Sequence, residues 1–249
     1  MAPATDHADP DRNTTAVLTE RVDAVLDRIA TASNRAGRDS AEILLLLATK
    51  TRTPQQIAAA VELLGERGQR IAVGENRAQE IAKHNDPLVR DNGVPRHFIG
   101  RLQTNKARDV VAFADLIHSV DRDDIAAALS RRAGLAGTPK DVLIQVNTSG
   151  EESKGGYAPR HEAIADVAAR LHEDPWLRPV GLMTIGANTA DEQAVRASLR
   201  LLRTLREDLA DPAIAELSMG MSADLEIAIE EGATIVRLGS AVFGARPSV

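Results

Sequence analysis

Apolar residues recur along this chain with two alternating periods. In residues 15–36, Val17, Leu18, Val22, Val25, Leu26 and Ile29 fall three or four apart, the spacing of one helix face, and Gly37 ends the run. Residues 43–49 are almost wholly apolar and read as a buried strand. Pro54 then opens a helix to Leu64 that Gly65 stops. The same alternation predicts further strands over 70–73, 97–99, 116–119, 141–147, 180–184, 216–218 and 234–238. Helices are expected over 77–84, 106–113, 123–133, 160–171, 191–209 and 223–231, with a short final turn to Phe243. Eight strands alternating with helices, without a domain-sized linker, predict an α/β fold: a (β/α)8 TIM barrel with an extra N-terminal helix. A doubly wound open sheet is the alternative. Residues 1–14 are polar, with no apolar core, and read as a disordered tail before a single domain over 15–249.

Composition narrows the chemistry. The 249 residues are 43% apolar, enough for one large core. A net charge of -6 and the lack of a broad basic face argue against a nucleic-acid partner. With no cysteine there are no disulfides, thiolate metal sites or cysteine nucleophiles. The six histidines show no HxH or HExxH pairing, so no metal site is expected. The longest apolar stretch is too short for a bilayer, and no secretory signal opens the chain; the expected place is the cytoplasm, away from membranes. An aromatic content of 2% leaves little for stacking bases or sugars.

In such a barrel the chemistry gathers at the C-terminal strand ends. Lys50 follows the first strand directly and shares a face with Leu44, Leu46 and Ala48. If that face points inward, its amine tops the barrel interior. A lysine forms a Schiff base as the neutral amine, and both an apolar strand end and a nearby cation disfavour its charge. The alternative is a surface lysine that begins a loop. In strand eight, Ile235 and Arg237 can face inward; in strand five, Gln145 and Asn147 can. Ser218-Met219-Gly220-Met221-Ser222 and Gly239-Ser240 have the makings of a phosphate cradle. Gly220 lets backbone approach a ligand, and Ser222 can cap the next helix. Two ordinary glycine turns remain the plainer alternative. An amine with a phosphate site suggests pyridoxal 5′-phosphate. Arg237 would then donate to the pyridine nitrogen and keep it unprotonated, a salt bridge to Glu230 or Asp224 being the other possibility. Asn76 either reaches the ring or caps a helix. His97 reads as a hydrogen-bonded core histidine, and residues 150–156 as a mobile loop over the mouth.

Several segments together resemble one family. They are Ala48-Thr49-Lys50-Thr51; Gly74-Glu75-Asn76 with Gln79-Glu80; His97 through Lys106; Val146-Asn147-Thr148-Ser149 with Glu152 and Lys154; Gly181-Leu182-Met183; Leu217 through Asp224; and Val236-Arg237-Leu238-Gly239 with Phe243-Gly244. In this order, over nearly the whole chain, they resemble the pyridoxal phosphate homeostasis protein family. The resemblance implies a fold-type III barrel like the N-terminal domain of alanine racemase. It implies Lys50 as the Schiff-base lysine, Ser222, Gly239 and Ser240 around the phosphate, and Arg237 at the pyridine nitrogen. It further implies a protein that holds pyridoxal 5′-phosphate and releases it to apo-enzymes, without a reaction of its own. Thr49, Arg52-Thr53 and Arg77-Ala78 depart from the family's usual residues around the mouth.

The competing class is an amino-acid racemase of the same fold. Racemisation needs acid–base groups on both faces of the substrate's α-carbon. Alanine racemase-like enzymes draw one from a tyrosine in a second domain of a partner subunit. Here only six residues follow Phe243, and the single tyrosine, Tyr157, lies beside the 150–156 loop. The expectation is therefore a monomeric, non-catalytic carrier. A Schiff-base aldolase would explain Lys50 and the phosphate site but not the full set of motifs.

Overall fold

The structure is a computed structural model and describes residues 10–151 and 154–245. Eight parallel strands close into a barrel in chain order: β1 (Leu44–Ala48), β2 (Ile71–Glu75), β3 (Arg96–Phe98), β4 (Leu116–Val120), β5 (Lys140–Gln145), β6 (Leu177–Met183), β7 (Glu216–Ser218) and β8 (Ile235–Leu238). Closure comes from β1 pairing with both β2 and β8, with Leu46 opposite Ala72 on one side and Arg237 on the other. The open-sheet alternative is thereby excluded. The helices are α1 (Pro10–Ala36), α2 (Pro54–Glu66), α3 (Pro87–Arg90), α4 (Ala107–Phe113), α5 (Asp123–Ala136), α6 (His161–Glu173), α7 (Glu192–Leu209), α8 (Leu225–Glu230) and α9 (Ser240–Phe243).

Strand alternation divides the core in two. Leu45 and Leu47 turn outward and join one large cluster with the helices, while Leu46, Ala72 and Ile235 form a separate cluster inside the barrel, packed against Leu44, Ile99 and Leu116. The inward parity expected for Leu44, Leu46, Ile235 and Arg237 is the one observed. Each fully buried aliphatic side chain contributes about 1.5–3 kcal/mol relative to exposure.

The extra helix α1 has a specific role. Its buried stripe, Val22, Val25, Ile29 and Ala32, follows the 3.6 period and packs on α8 and α9. Arg28 forms a two-pronged ion pair with Glu226, at 2.6 and 2.8 Å, and donates to the Ser222 carbonyl at 3.0 Å. Arg21 donates to the Phe243 carbonyl at 3.2 Å. The helix thus straps the last two strand–helix units, which carry the expected phosphate turns.

Several boundaries differ from the sequence expectation. Residues 10–14 belong to α1, so that helix starts before Thr15; residues 1–9 of the expected tail lie outside the described residues. Gly65 does not stop α2, which runs on to Glu66. Likewise α5 passes Gly134, where an added Cβ would lie 3.0 Å from Trp176 Nε1, and ends at Gly137 in the left-handed conformation. The segment Ala78–Asn85 is a 3-10 helix rather than an α-helix. β2 extends through Glu75, and β6 begins at Leu177 despite Pro179, because the register slips between Val142 and Leu143 and accommodates it. β5 ends at Gln145; Asn147 lies past the strand and donates to the carbonyls of Glu151 and Lys154, both at 2.9 Å, so it braces a loop instead of facing the axis.

Gly181 sits just beyond that slip, and a Cβ there would stand 2.2 Å from the Glu216 carbonyl oxygen of β7. Backbone cannot yield as a side chain does. Gly181→Ala is expected to push β6 and β7 apart and destabilise the fold by on the order of 1–3 kcal/mol. A urea midpoint unchanged from wild type would contradict this.

Candidate functional site

At the C-terminal ends of β1, β2, β7 and β8 the barrel opens into a cavity of about 340 Å³. Its wall includes Lys50, Asn76, Ser222, Arg237, Gly239 and Ser240, six of the seven candidates drawn from the sequence. The seventh, Gly220, is not in the wall. It has a φ of 92°, its carbonyl accepts from Arg237 N at 2.9 Å, and a Cβ there would lie 2.4 Å from Ala228 Cβ. Gly220 therefore lets the turn close against α8. Ala48, Arg52, Met221, Ala223 and Gly244 complete the lining.

Lys50 is half-buried and, among the described residues, makes no hydrogen bond or ion pair. It stands two residues beyond inward-facing Ala48, as the alternation predicted. Just after it, Thr53 and Gln56 form a capping box that starts α2 at Pro54. Asn76 does not cap the following helix, since Arg77 occupies that position without a side-chain bond. The Asn76 backbone is fixed by Gly100: a Cβ there would lie 1.8 Å from the Asn76 carbonyl oxygen. Only glycine permits that approach between the loops after β2 and β3.

Ser222 was expected to cap α8, and it does not. Asp224 holds the cap position, and its carboxylate accepts from Met221 N at 2.6 Å. The Ser222 hydroxyl is turned instead to the last turn of the barrel, where it accepts from Ser240 Oγ at 3.2 Å and from Ala241 N at 3.3 Å. Two chain segments 18 residues apart thus present hydroxyls side by side. Ser240, the first residue of α9, adds an N–H of the kind a helix start leaves without an intrahelical partner. Gly239 permits close backbone approach, with only 3.3 Å between a would-be Cβ and the Ala48 carbonyl oxygen.

Arg237 is 6% exposed and lies at the inner end of β8. Its guanidinium donates to Ser218 Oγ and to the Thr184 carbonyl, each at 2.8 Å. The salt bridge considered from sequence is absent among the described residues: Glu230 pairs with Arg196 at 2.8 Å and Asp224 with Met221 N. Burial pushes the Arg237 pKa down to about 10, Asp224 opposing, so the group stays charged near neutrality. The chain of contacts continues across the barrel. Ser218 Oγ is 2.9 Å from His118 Nδ1, and His118 Nε2 is 3.0 Å from His97 Nδ1. One proton assignment satisfies every contact: Ser218 donates to His118 Nδ1, and His118 Nε2–H donates to His97 Nδ1, with both rings neutral. Burial depresses both imidazoles, His97 to about 4 and His118 well below its ordinary value, the latter aided by the charges of His97 and Arg237.

His118, Thr184 and Arg52 were not singled out from the sequence. His118 could have been found as a polar residue two beyond Leu116 on the inward face of β4. Its pairing with His97 and Ser218 could not, because it joins positions 21 and 100 residues apart. Arg52 was noted only as a departure from a motif; it lines the cavity and donates to the Gly244 carbonyl at 2.9 Å. Tyr157 and His97 are outside the cavity wall. The Tyr157 hydroxyl donates to Asp123 at 2.7 Å beside α5 and α6, and burial raises its pKa well above the ordinary phenol value. Within the 150–156 loop, Glu152 and Ser153 lie outside the described residues, and Lys154 bonds Glu151 and the Gly186 carbonyl.

Comparison with known proteins gives this geometry a class. The family described as alanine racemase, N-terminal domain, matches residues 21–247. Within that class, a pyridoxal phosphate homeostasis protein of Aquifex aeolicus is 43% identical over 230 residues, covering 91% of this chain and 97% of its own. The crystal structure of an unknown protein from Bifidobacterium adolescentis superposes with a TM-score of 0.84 at 39% identity, over 97% and 98% of the two chains. PipY of Synechococcus elongatus PCC7942, solved with PLP bound, gives 0.71 at 31% identity over 88% and 100%. The chain belongs to the pyridoxal phosphate homeostasis protein family. An alanine racemase from Clostridium difficile 630, TM-score 0.67 but 18% identical over 92% of this chain and 57% of its own, shares the fold alone.

The buried histidine pair sets an acid dependence. His97 moves from the ordinary 6.5 to about 4 in the fold, so between those values the unfolded chain binds more protons. Stability therefore falls as pH drops through that window, by on the order of 3 kcal/mol for this residue. His97→Gln removes this residue's titration and should make the fall of unfolding free energy between pH 6.5 and 4 shallower, His118 still contributing its own share. An unchanged acid slope in the variant would contradict the assignment.

Proposed function

We propose that this protein binds pyridoxal 5′-phosphate in the cavity at Lys50 and serves cytoplasmic cofactor homeostasis as a carrier, with no reaction of its own. The observation that carries the reading is a desolvated, carboxylate-free Arg237 in the same wall as an unpaired Lys50. A buried cation held by neutral oxygens retains donor capacity for a further acceptor. A pyridine nitrogen satisfies that demand without a charge of its own. The cavity volume, about 340 Å³, lies within the range of about 300–1,000 Å³ typical of small-molecule sites. When bound, the cofactor supplies an aldehyde that condenses with a lysine amine, releasing one water.

The protein's own residues divide the work. Lys50 offers the amine. Ser222 and the Gly239-Ser240 turn offer hydroxyl and N–H donors to the phosphate, whose charge strengthens each bond. Arg237 donates to the ring nitrogen and disfavours its protonation, which limits the ring as an electron sink. Asn76 and Arg52 border the mouth. Among the described residues no histidine, tyrosine or carboxylate lines the cavity, so the wall offers no second acid–base group of the kind racemisation requires. The named relatives are homeostasis proteins, which agrees with release of cofactor to apo-enzymes.

Borohydride treatment of the cofactor-loaded protein should fix the label on Lys50, and Lys50→Ala should abolish fixation. Ser222→Ala should weaken pyridoxal 5′-phosphate by about tenfold or more while leaving pyridoxal nearly unaffected. Loaded protein should reactivate an apo-transaminase and show no saturable interconversion of D- and L-alanine. Label on Lys83 or Lys106, equal losses for both ligands, or racemisation abolished by Lys50→Ala would overturn the corresponding part.

A further inference from the structure

Two motif residues, Glu75 and Glu80, stand outside the cavity wall, yet both belong to the segments shared with the family. They lie directly behind Lys50. Strand alternation turns Thr49 to the opposite side of the wall from Lys50, and there Thr49, Glu75, Lys83 and His84 form one buried polar cluster. Lys83 Nζ donates to the Thr49 carbonyl at 2.7 Å and pairs with Glu75 at 2.7 Å and Glu80 at 3.1 Å. The Thr49 hydroxyl and His84 Nε2 meet the same Glu75 oxygen, the latter at 2.9 Å. Glu75 is fully buried, so its bonds to Lys83 and Thr49 are strengthened by the dry surroundings.

The other neighbour of Lys50 is held from the same segment. Thr51 N–H donates to Glu80 Oε2 at 2.7 Å. Thr51 has a φ of 65°, in the left-handed region that a β-branched residue avoids. Such a conformation costs on the order of 1–3 kcal/mol and persists only where its surroundings enforce it. Burial opposes the Glu80 charge, but the Thr51 N–H and Lys83 hold that carboxyl below the usual carboxylate range, so it is ionised and a strong acceptor near neutrality.

We infer that Glu80 and Lys83 are positioning residues for Lys50: one 3-10 segment grips the carbonyl before the lysine and the N–H after it. The clamp fixes where the amine leaves the strand without touching the ligand. This rests on the cofactor reading above and deepens it, because it assigns the Gly74–Glu80 motif a task that cavity contacts do not.

The test compares two ligands that share ring and phosphate. Pyridoxal 5′-phosphate can bond covalently to Lys50; pyridoxamine 5′-phosphate carries an amine in place of the aldehyde and cannot. Glu80→Gln and Lys83→Met should each weaken the first by about tenfold and the second by no more than about twofold. The borohydride-fixed fraction on Lys50 should fall in parallel. Thr51→Gly, which adopts positive φ without strain, should restore the fixed fraction in the Glu80→Gln background. Equal losses for the two ligands would reduce the cluster to general support and overturn the inference, as would no loss for either, or no rescue by Thr51→Gly. If Lys83→Met does not fold, the Glu80→Gln pair with and without Thr51→Gly decides. Wild-type protein that fixes no label at Lys50 would sink the cofactor reading itself; normal fixation with unaltered variants sinks only the clamp.

Discussion

A guanidinium buried at the inner end of β8, with two neutral oxygens for partners, is the constraint around which the rest of the site is arranged. Arg237 cannot shed its proton near neutrality, so the barrel interior must supply acceptors or pay the full cost of a desolvated charge. It does so through Ser218 and Thr184, and Ser218 in turn requires His118, which requires His97. That line of contacts crosses the barrel and leaves both imidazoles neutral. The inner aliphatic cluster of Leu46, Ala72 and Ile235 lies next to this polar chain, Leu46 standing opposite Arg237 across the β1–β8 pair.

The family motifs fall into two physical kinds. Lys50, Asn76, Ser222, Arg237, Gly239 and Ser240 line the cavity. Gly100, Gly181 and Gly220 act on backbone spacing: each admits an approach that a Cβ would block, at 1.8, 2.2 and 2.4 Å respectively. Glu75 and Glu80 lie behind Lys50: Glu80 accepts from the Thr51 N–H, and Glu75 meets the Thr49 hydroxyl and Lys83, which itself donates to the Thr49 carbonyl. The extra helix α1 works at the same level, because Arg28 holds both Glu226 and the Ser222 carbonyl and so joins the Ser222 turn to the outer layer.

Much of this was legible in the sequence, and for identifiable reasons. Period-two alternation put Lys50 on one face with Leu44 and Leu46, and Arg237 on one face with Ile235, because strand parity is a local property; the closed barrel turns both faces inward. The eight-strand count predicted the closed barrel for the same reason. Ser222 was misassigned as a helix cap because its real partners, Ser240 and Ala241, come from the next strand–helix unit. His118 went unnoticed because its value lies in contacts between strands. Gly65 was taken as a helix stop and the fifth helix was expected to end at Ala133, whereas Gly65 and Gly134 are both carried inside helices, Gly134 against the Trp176 ring. Local periodicity reveals faces; pairing across the barrel is set by closure.

The claim that Arg237 orients the site through the ring nitrogen is tested most directly by the 15N chemical shift of pyridoxal 5′-phosphate labelled at that nitrogen and bound to the intact protein. The account predicts an unprotonated, hydrogen-bonded nitrogen across neutral pH, and a shift that changes in Arg237→Gln. A protonated nitrogen in the wild-type protein, or a shift indifferent to that substitution, would contradict it.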